Sequence, residues 1–163
     1  MHDEVEKMPF SLSLFKGELT DTQSIAYMTN HWFIFQAMER NIFRSLPHPS
    51  LPRCDKIQDC VEAMGAQITG DVMCTATSKY INYIIGCEDD KKKWSSHIYL
   101  NYMAWLMGGQ LLSEANPDME WMFHFSDTTA AIASIRKLEI DWDQVHQGFV
   151  YHRDMLKELQ SVE

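Results

Sequence analysis

Apolar residues recur at intervals of three and four along most of this chain, the spacing that places side chains on one face of a helix. The first long run follows Thr20 and Gln23, which can form a capping box, and it stops before Pro47. Its apolar stripe comprises Ile25, Met28, Trp32, Phe35, Met38 and Ile42. Strand-type alternation is scarce, so the pattern predicts an all-α protein.

The same periodicity, together with glycine stops and polar caps, predicts five further helices. They are expected at 53–64, 75–85, 94–113, from Ser126 or Asp127 to about Leu138, and from near Asp141 onward. The last carries the stripe Trp142, Val145, Phe149, His152, Leu156 and Leu159. We therefore expect a single domain over residues 1–163, a bundle of roughly six to eight helices.

Charge and hydropathy exclude several classes of protein. The 163 residues carry a net charge of −9, from 14 basic and 23 acidic residues, which argues against a broad nucleic-acid surface. No apolar run is long enough to span a bilayer, and the start of the chain is acidic and polar rather than a signal sequence. We expect a cytoplasmic protein without a membrane partner. The acidic surface and the lack of a coiled-coil repeat favour a monomer.

Two local features have simple interpretations. The basic run Lys91–Lys93 directly follows three acidic residues, so its charge nearly cancels and a solvated loop is expected. The four cysteines, Cys54, Cys60, Cys74 and Cys87, show neither CxxC spacing nor zinc-finger spacing. They are expected to be packed, reduced thiols.

The long apolar helix YLNYMAWLMGGQLL contains two adjacent glycines, Gly108 and Gly109. Glycine costs roughly 1 kcal/mol relative to alanine inside a helix, so this pair needs a reason. Without Cβ atoms the backbone can be approached closely by a flat ligand, and the helix can also kink. Close packing against another helix, which small residues also allow, is the alternative, and the helix by itself favours packing.

The histidines do not identify a metal site by periodicity. His152 lies on an apolar stripe and is expected to be a hydrogen-bonded core residue, whereas His31 is expected near the surface. A carboxylate-bridged metal pair would need repeated Glu-x-x-His motifs. Glu120 and His124 are four residues apart without a second copy, and Glu39 stands alone, so such a pair is disfavoured.

Several segments, in order and at matching spacing, resemble the haem oxygenases along nearly the whole chain. The opening block HDEVEKMPFSLSLFKGELT matches the family's proximal segment, and the match continues through YMTNHWFIFQAMERNI without a gap. YLNYMAWLMGGQLL resembles the family's distal helix with its Gly-Gly-Gln. WMFHFSDTTAAIASIRK and QGFVYHRDMLKELQ resemble its last two helices, while about residues 53–75 align loosely.

The resemblance implies a haem oxygenase-type helical bundle and a set of site residues. Haem, as both substrate and cofactor, would lie between a proximal helix and a distal helix containing Gly108 and Gly109. His2 would be the axial iron ligand, with Glu6 orienting its other ring nitrogen. The remaining haem contacts implied are Phe149 against the ring and, at the propionates, Tyr99 with Arg136 or Lys137. A solvated helix end is the alternative for Arg136 and Lys137.

The reaction implied is oxidative cleavage of haem by dioxygen to biliverdin, carbon monoxide and ferrous iron. Electrons would come from ferredoxin or another small donor, since the chain has no flavin or NAD fingerprint.

One departure from the family bears on turnover. Trp105 occupies the position of a distal aspartate that organises water near the bound oxygen, and Asn101 stands one turn earlier, where the family often has arginine. Asn101 and Trp105 share a helix face with Gly108, and Asn101 is a candidate to order a water in place of the aspartate. The alternative function is therefore a non-catalytic haem-binding or haem-sequestering protein on the same fold.

Overall fold

The computed structural model describes residues 2–163, and these contain helices and connecting segments but no strand. The helices are α1 (His2–Glu6), α2 (Pro9–Lys16), α3 (Asp21–Glu39), α4 (Cys54–Ala63), α5 (Thr75–Gly86), α6 (Lys91–Ala115), α7 (Glu120–Phe123), α8 (Thr128–Arg136) and α9 (Trp142–Leu159). Two short 3₁₀ helices lie at Gly70–Val72 and Pro117–Met119. The all-α prediction is confirmed.

The described residues contain nine α-helices, more than the roughly six to eight that the sequence predicts. Two of them, α1 and α7, are only five and four residues long. Such short helices show too few apolar repeats for periodicity to reveal them. The long helices were located within a few residues, including the capping box in which Thr20 and Gln23 each accept from the other's backbone amide.

Two helix ends differ from the prediction. The helix α3 ends at Glu39, so Ile42 lies beyond it and is 89% exposed instead of continuing the apolar stripe. The run Lys91–Lys93 is the exposed first turn of α6 and not a loop. Three lysines are unfavourable at a helix N-terminus, but the Asp90 carboxylate accepts from the amides of Lys92 and Lys93 and caps the helix.

The core lies between α3, α5, α6 and α9, which pack against one another, with α4 and α7 closing one side. Tyr80, Tyr102, Phe35 and Met28 are among its fully buried side chains. The helices α6 and α9 approach closely at Gly148, where a Cβ would collide with the Leu100 side chain. This close approach brings side chains of α6 and α9 to one shared surface.

The N-terminal helices are fixed to the end of α6. Gly17 adopts φ +69° and caps α2, and a Cβ there would collide with the Ala115 carbonyl. The Asn116 amide donates to the Leu14 carbonyl at 2.8 Å, which joins the two helix ends. In this way α2 is held against α6 and α9. The preceding helix α1 packs on α2 and α9.

All four cysteines are free and buried, as the sequence predicts. Burial raises the pKa of each thiol above its ordinary value, to about 11 for Cys74. Protonated, enclosed thiols are poor nucleophiles, so none is a catalytic candidate.

Candidate active site

A cleft of about 390 Å³ opens between the N-terminal helices, α6 and α9, with α3 at its buried end. Its volume falls within the range of small-molecule and cofactor sites, roughly 300–1,000 Å³. Most of its wall is apolar, contributed by residues such as Leu14, Phe15, Leu100, Met107, Leu112 and Leu156. The polar groups are few, and their placement decides what the cleft can bind.

His2 lies at the exposed side of the cleft. Its Nδ1 is 3.4 Å from a carboxylate oxygen of Glu6, one helical turn away, and its ring makes a T-shaped contact with Phe149, with centroids 5.6 Å apart. The partner at Nδ1 leaves Nε2 available as a ligand atom. Together with Asp3, His2 and Glu6 form a cluster of three potential metal ligands, whose ligand atoms all lie within 4.8 Å of one another.

The two glycines of α6 face different surroundings. Gly108 lines the cleft, and a Cβ built there would meet no atom within 4 Å. A Cβ on Gly109 would lie 3.1 Å from the Cβ of Phe123, so this glycine permits α6 to pack closely against α7. Both explanations left open by the sequence therefore apply, each to one glycine.

Trp105 and Asn101 line the cleft on the same face as Gly108. Trp105 is only 5% exposed, and its ring packs against Phe35 and Phe123 with centroids 4.7 Å apart in each case. The Asn101 amide is fully engaged in protein contacts. Its Nδ2 donates to the His97 carbonyl at 2.8 Å and to the Tyr80 hydroxyl at 3.0 Å, and its Oδ1 lies 2.7 Å from His152 Nε2.

His31 is buried in the core wall of the cleft, so its expected place near the surface is wrong. The helix α3 is covered on nearly every side, and position 31 faces Tyr27, Trp105 and His152. The hydrogen bond expected for His152 is confirmed, but its expected place in the core is wrong, because the residue is half-buried and lines the cleft. Since His152 follows Phe149 by three residues on α9, helical spacing could have assigned it to the same surface as Phe149.

Burial keeps both of these imidazoles neutral at pH 7. Desolvation lowers the pKa of His31 to about 4, partly offset by its hydrogen bond to the Tyr27 carbonyl. Desolvation, with the nearby His31 and His97, lowers the pKa of His152 to about 3, although part of its ring faces the cleft. The buried end of the cleft is therefore polar but uncharged.

Residues 1–153 match the protein-family model described as heme oxygenase. The chain belongs to the haem oxygenase family. No curated protein matches it in sequence.

Solved structures of haem oxygenases share the fold at low identity. The enzyme from Leptospira interrogans superposes with a TM-score of 0.71 at 17% identity, over 98% of this chain and 90% of that one. Heme oxygenase-1 from the cyanobacterium Synechocystis sp. PCC6803, in complex with heme, gives 0.74 at 18% identity, over 97% and 83% of the two chains. Heme oxygenase-2 from Synechocystis, in complex with heme and NO, gives 0.76 at 15% identity, over 98% and 80%.

Three residues that the family resemblance suggested for the propionates lie outside the lining of the cleft. Tyr99 packs edge-to-face against Trp142 at 5.5 Å, and Arg136 and Lys137 are exposed at the end of α8. No lysine or arginine of residues 2–163 lines the cleft of this haem oxygenase family member. None of its described helices combines the length and hydropathy needed to cross a membrane.

Proposed function

We propose that this protein binds haem in the cleft and cleaves it oxidatively to biliverdin, carbon monoxide and ferrous iron. The observation that carries the proposal is a largely apolar cleft in which an imidazole and a Cβ-less helical position line the same space. His2 provides the imidazole and Gly108 the open backbone surface. Family membership and the haem-bound structures of family members with the same fold support the choice of ligand.

The residues fit this ligand in three ways. A flat porphyrin needs a wall without protruding side chains, and a side chain at Gly108 would extend into space that is free. The iron needs a neutral nitrogen, and the Glu6 carboxylate at Nδ1 orients the His2 ring so that Nε2 can coordinate. The apolar wall suits the porphyrin, while the T-shaped contact with the Phe149 ring steadies the His2 imidazole.

When bound, reduced haem iron would supply the activation of dioxygen that attack on the porphyrin ring needs. The protein's part is to bind and orient the macrocycle, to exclude bulk water with Trp105 and its aromatic neighbours, and to keep the buried end of the cleft uncharged. We propose ferredoxin or another small donor as the source of electrons.

A spectroscopic assay tests the proposal. The protein is titrated with haemin, then supplied with ferredoxin, its reductase and NADPH in air. We expect a one-to-one complex, followed by loss of the Soret band and growth of a biliverdin band. His2→Ala should change the axial-ligand signature, whereas the exposed His146→Ala variant on α9 should not. The absence of a stoichiometric haemin complex would refute the assignment.

A second function, haem binding without turnover, is favoured by one observation. Trp105 supplies no carboxylate at the buried end of the cleft, and the Asn101 amide is already engaged by His97, Tyr80 and His152. In the same assay, a stable complex that keeps its Soret band under reducing conditions in air would support this function and exclude cleavage.

A further inference from the structure

We propose that His31 and His152 are a pair of hydrogen-bond acceptors, each locked in one tautomer, that anchor an ordered water at the buried end of the cleft. Their catalytic meaning rests on the proposed function, because such a water would relay a proton from the solvent at the mouth of the cleft, a role that Trp105 and Asn101 do not fill. The tautomers and the water site stand on the hydrogen bonds of the protein alone.

The tautomer of His31 follows from its partner. Its Nδ1 lies 2.9 Å from the Tyr27 carbonyl oxygen, one turn earlier on α3. A carbonyl only accepts, so Nδ1 carries the hydrogen and Nε2 keeps its lone pair. No other side chain or backbone group of residues 2–163 hydrogen-bonds Nε2. The side chain is only 5% exposed but lines the cleft, so a water in the cleft can hydrogen-bond this free acceptor.

The tautomer of His152 is fixed through Asn101. The Nδ2 atom of Asn101 lies 2.8 Å from the His97 carbonyl, which forces the amide to point its NH₂ group that way. The amide oxygen then faces His152 Nε2 at 2.7 Å and can only accept. His152 Nε2 therefore carries the hydrogen, and Nδ1 keeps the lone pair.

The His97 carbonyl also sets the direction of a longer chain of hydrogen bonds. The Tyr80 hydroxyl accepts from Asn101 at 3.0 Å and so donates to His97 Nδ1 at 2.8 Å. His97 in turn donates from Nε2 to the Gln144 side-chain oxygen at 3.1 Å, which also accepts from Tyr83. Reversing the His152 tautomer would break several of these bonds at once, so the lock is cooperative.

The two lone pairs belong to neighbouring rings on the wall of the cleft, and the inferred water lies between them. The rings of His31 and His152 are stacked with centroids 5.7 Å apart and an interplanar angle of 30°. Both line the cleft, where a buried water needs two to four polar partners. The water donates a hydrogen to each imidazole in the empty cleft, and it can turn one of them to a bound ligand while the other bond holds it in place. An uncharged pair of imidazoles thus supplies the acceptor that a carboxylate would otherwise provide.

The first test uses the protein without haem. Nitrogen-15 NMR of the histidine rings at pH 7 should show His31 with its hydrogen on Nδ1 and His152 with its hydrogen on Nε2. Signals are assigned with His31→Gln and His152→Gln. A charged ring, or the opposite tautomer at either position, would overturn the proposal. This readout does not depend on haem binding or turnover.

The second test looks for the water and its effect. High-resolution crystals should show an ordered water within hydrogen-bond distance of His31 Nε2 or His152 Nδ1, and His152→Leu should lose it. With haem loaded, His152→Leu should lower turnover about tenfold or more while haemin affinity changes less than twofold. His152→Gln, which retains an acceptor, should recover part of the loss, and the exposed His146→Leu is the matched control.

The two proposals can fail separately. If wild-type protein binds no haemin, the proposed function is wrong, while the tautomers and the water can still be measured. If wild-type protein turns over haem and the leucine variant does so equally well, or if no water lies at the pair, the inference is wrong and the function stands. Should His152→Leu not fold, the glutamine variant and the wild-type NMR and crystals decide the question.

Discussion

At the scale of single residues, the two adjacent glycines of α6 illustrate how position decides the role of one residue type. Gly109 is needed because Phe123 lies against it, with a would-be Cβ contact of 3.1 Å. Gly108 has no protein neighbour within 4 Å of that position and faces the cleft. Gly109 therefore serves helix packing, whereas Gly108 stays open to a ligand.

This difference predicts opposite behaviour for the two alanine variants. Gly108→Ala should leave the protein without haem as stable or up to about 1 kcal/mol more stable, since alanine favours helix. Its methyl group should obstruct a flat ligand and weaken haemin binding about tenfold, equivalent to about 1.4 kcal/mol. Gly109→Ala should leave haemin affinity nearly unchanged. Its free energy of unfolding should rise less than that of Gly108→Ala, or fall, because Phe123 must shift. Equal haemin affinities in the two variants would contradict this assignment.

The buried histidines predict a loss of stability in mild acid. Desolvation lowers the pKa values of His31 and His152 to about 4 and about 3 in the folded protein, while the unfolded chain titrates near 6.5. The unfolded state therefore binds more protons below pH 6.5, and the free energy of unfolding decreases as the pH falls from there towards 4. For His31 the effect is on the order of 3 kcal/mol.

Urea unfolding at several pH values between 7 and 4 measures this effect. The wild-type protein should lose stability more steeply than His31→Gln, which has no titrating group at this position. Carboxylates contribute equally to both proteins, so the difference between the two slopes isolates the histidine. The exposed His146→Gln variant should keep the wild-type slope. Parallel slopes for wild type and His31→Gln would rule out a neutral, buried His31.

At the scale of helices, two N-termini are capped by carboxylates from other helices. Neither Arg53 nor Cys74, the residues before α4 and α5, supplies a side-chain cap. Glu39 of α3 accepts from the amides of Arg53 and Cys54, at 2.7 and 3.0 Å. Glu158 of α9 does the same for Thr75 and Ala76 at 2.8 Å. Because these caps come from α3 and α9 and not from the neighbouring sequence, they also hold α4 and α5 in place against those helices.

Glu39 joins three helices, because it also accepts from the Tyr102 hydroxyl of α6 at 2.7 Å. Glu39→Gln replaces one acceptor oxygen by an NH₂ group that faces donors, so we expect a loss of about 2–3 kcal/mol in the free energy of unfolding. Glu62→Gln, on the exposed face of α4, should change it by less than about 0.5 kcal/mol. Chemical denaturation compares them, and similar values for both would show that Glu39 is not a structural junction.

At the scale of the whole molecule, the candidate axial ligand belongs to the least buried helix of the bundle. No residue of α1 is buried, and the helix packs mainly against α2 and α9. The core of α3, α5, α6 and α9 does not depend on it. The protein should therefore fold without haem, and binding should order the N-terminal segment over the cleft.

Binding should then stabilise the folded state by mass action. Haemin at 100 times its dissociation constant should raise the free energy of unfolding by about 2.7 kcal/mol. Hydrogen exchange of the amides in α1 should slow on binding, with little change in α3. At the same haemin concentration, His2→Ala should show a smaller rise and no protection of α1. Protection of α1 in the His2→Ala variant would mean that another residue coordinates the iron.

The sequence by itself determined the helical class, most helix positions and the family resemblance, since helical periodicity, caps and stops are local features. It did not determine that His31 is buried, that Tyr99, Arg136 and Lys137 lie outside the cleft, or that Gly108 and Gly109 have different neighbours. Those facts depend on which faces of α3, α6, α8 and α9 meet. The bonds that join His152, Asn101, Tyr80 and His97 come from three different helices, so only tertiary packing could bring these donors and acceptors together.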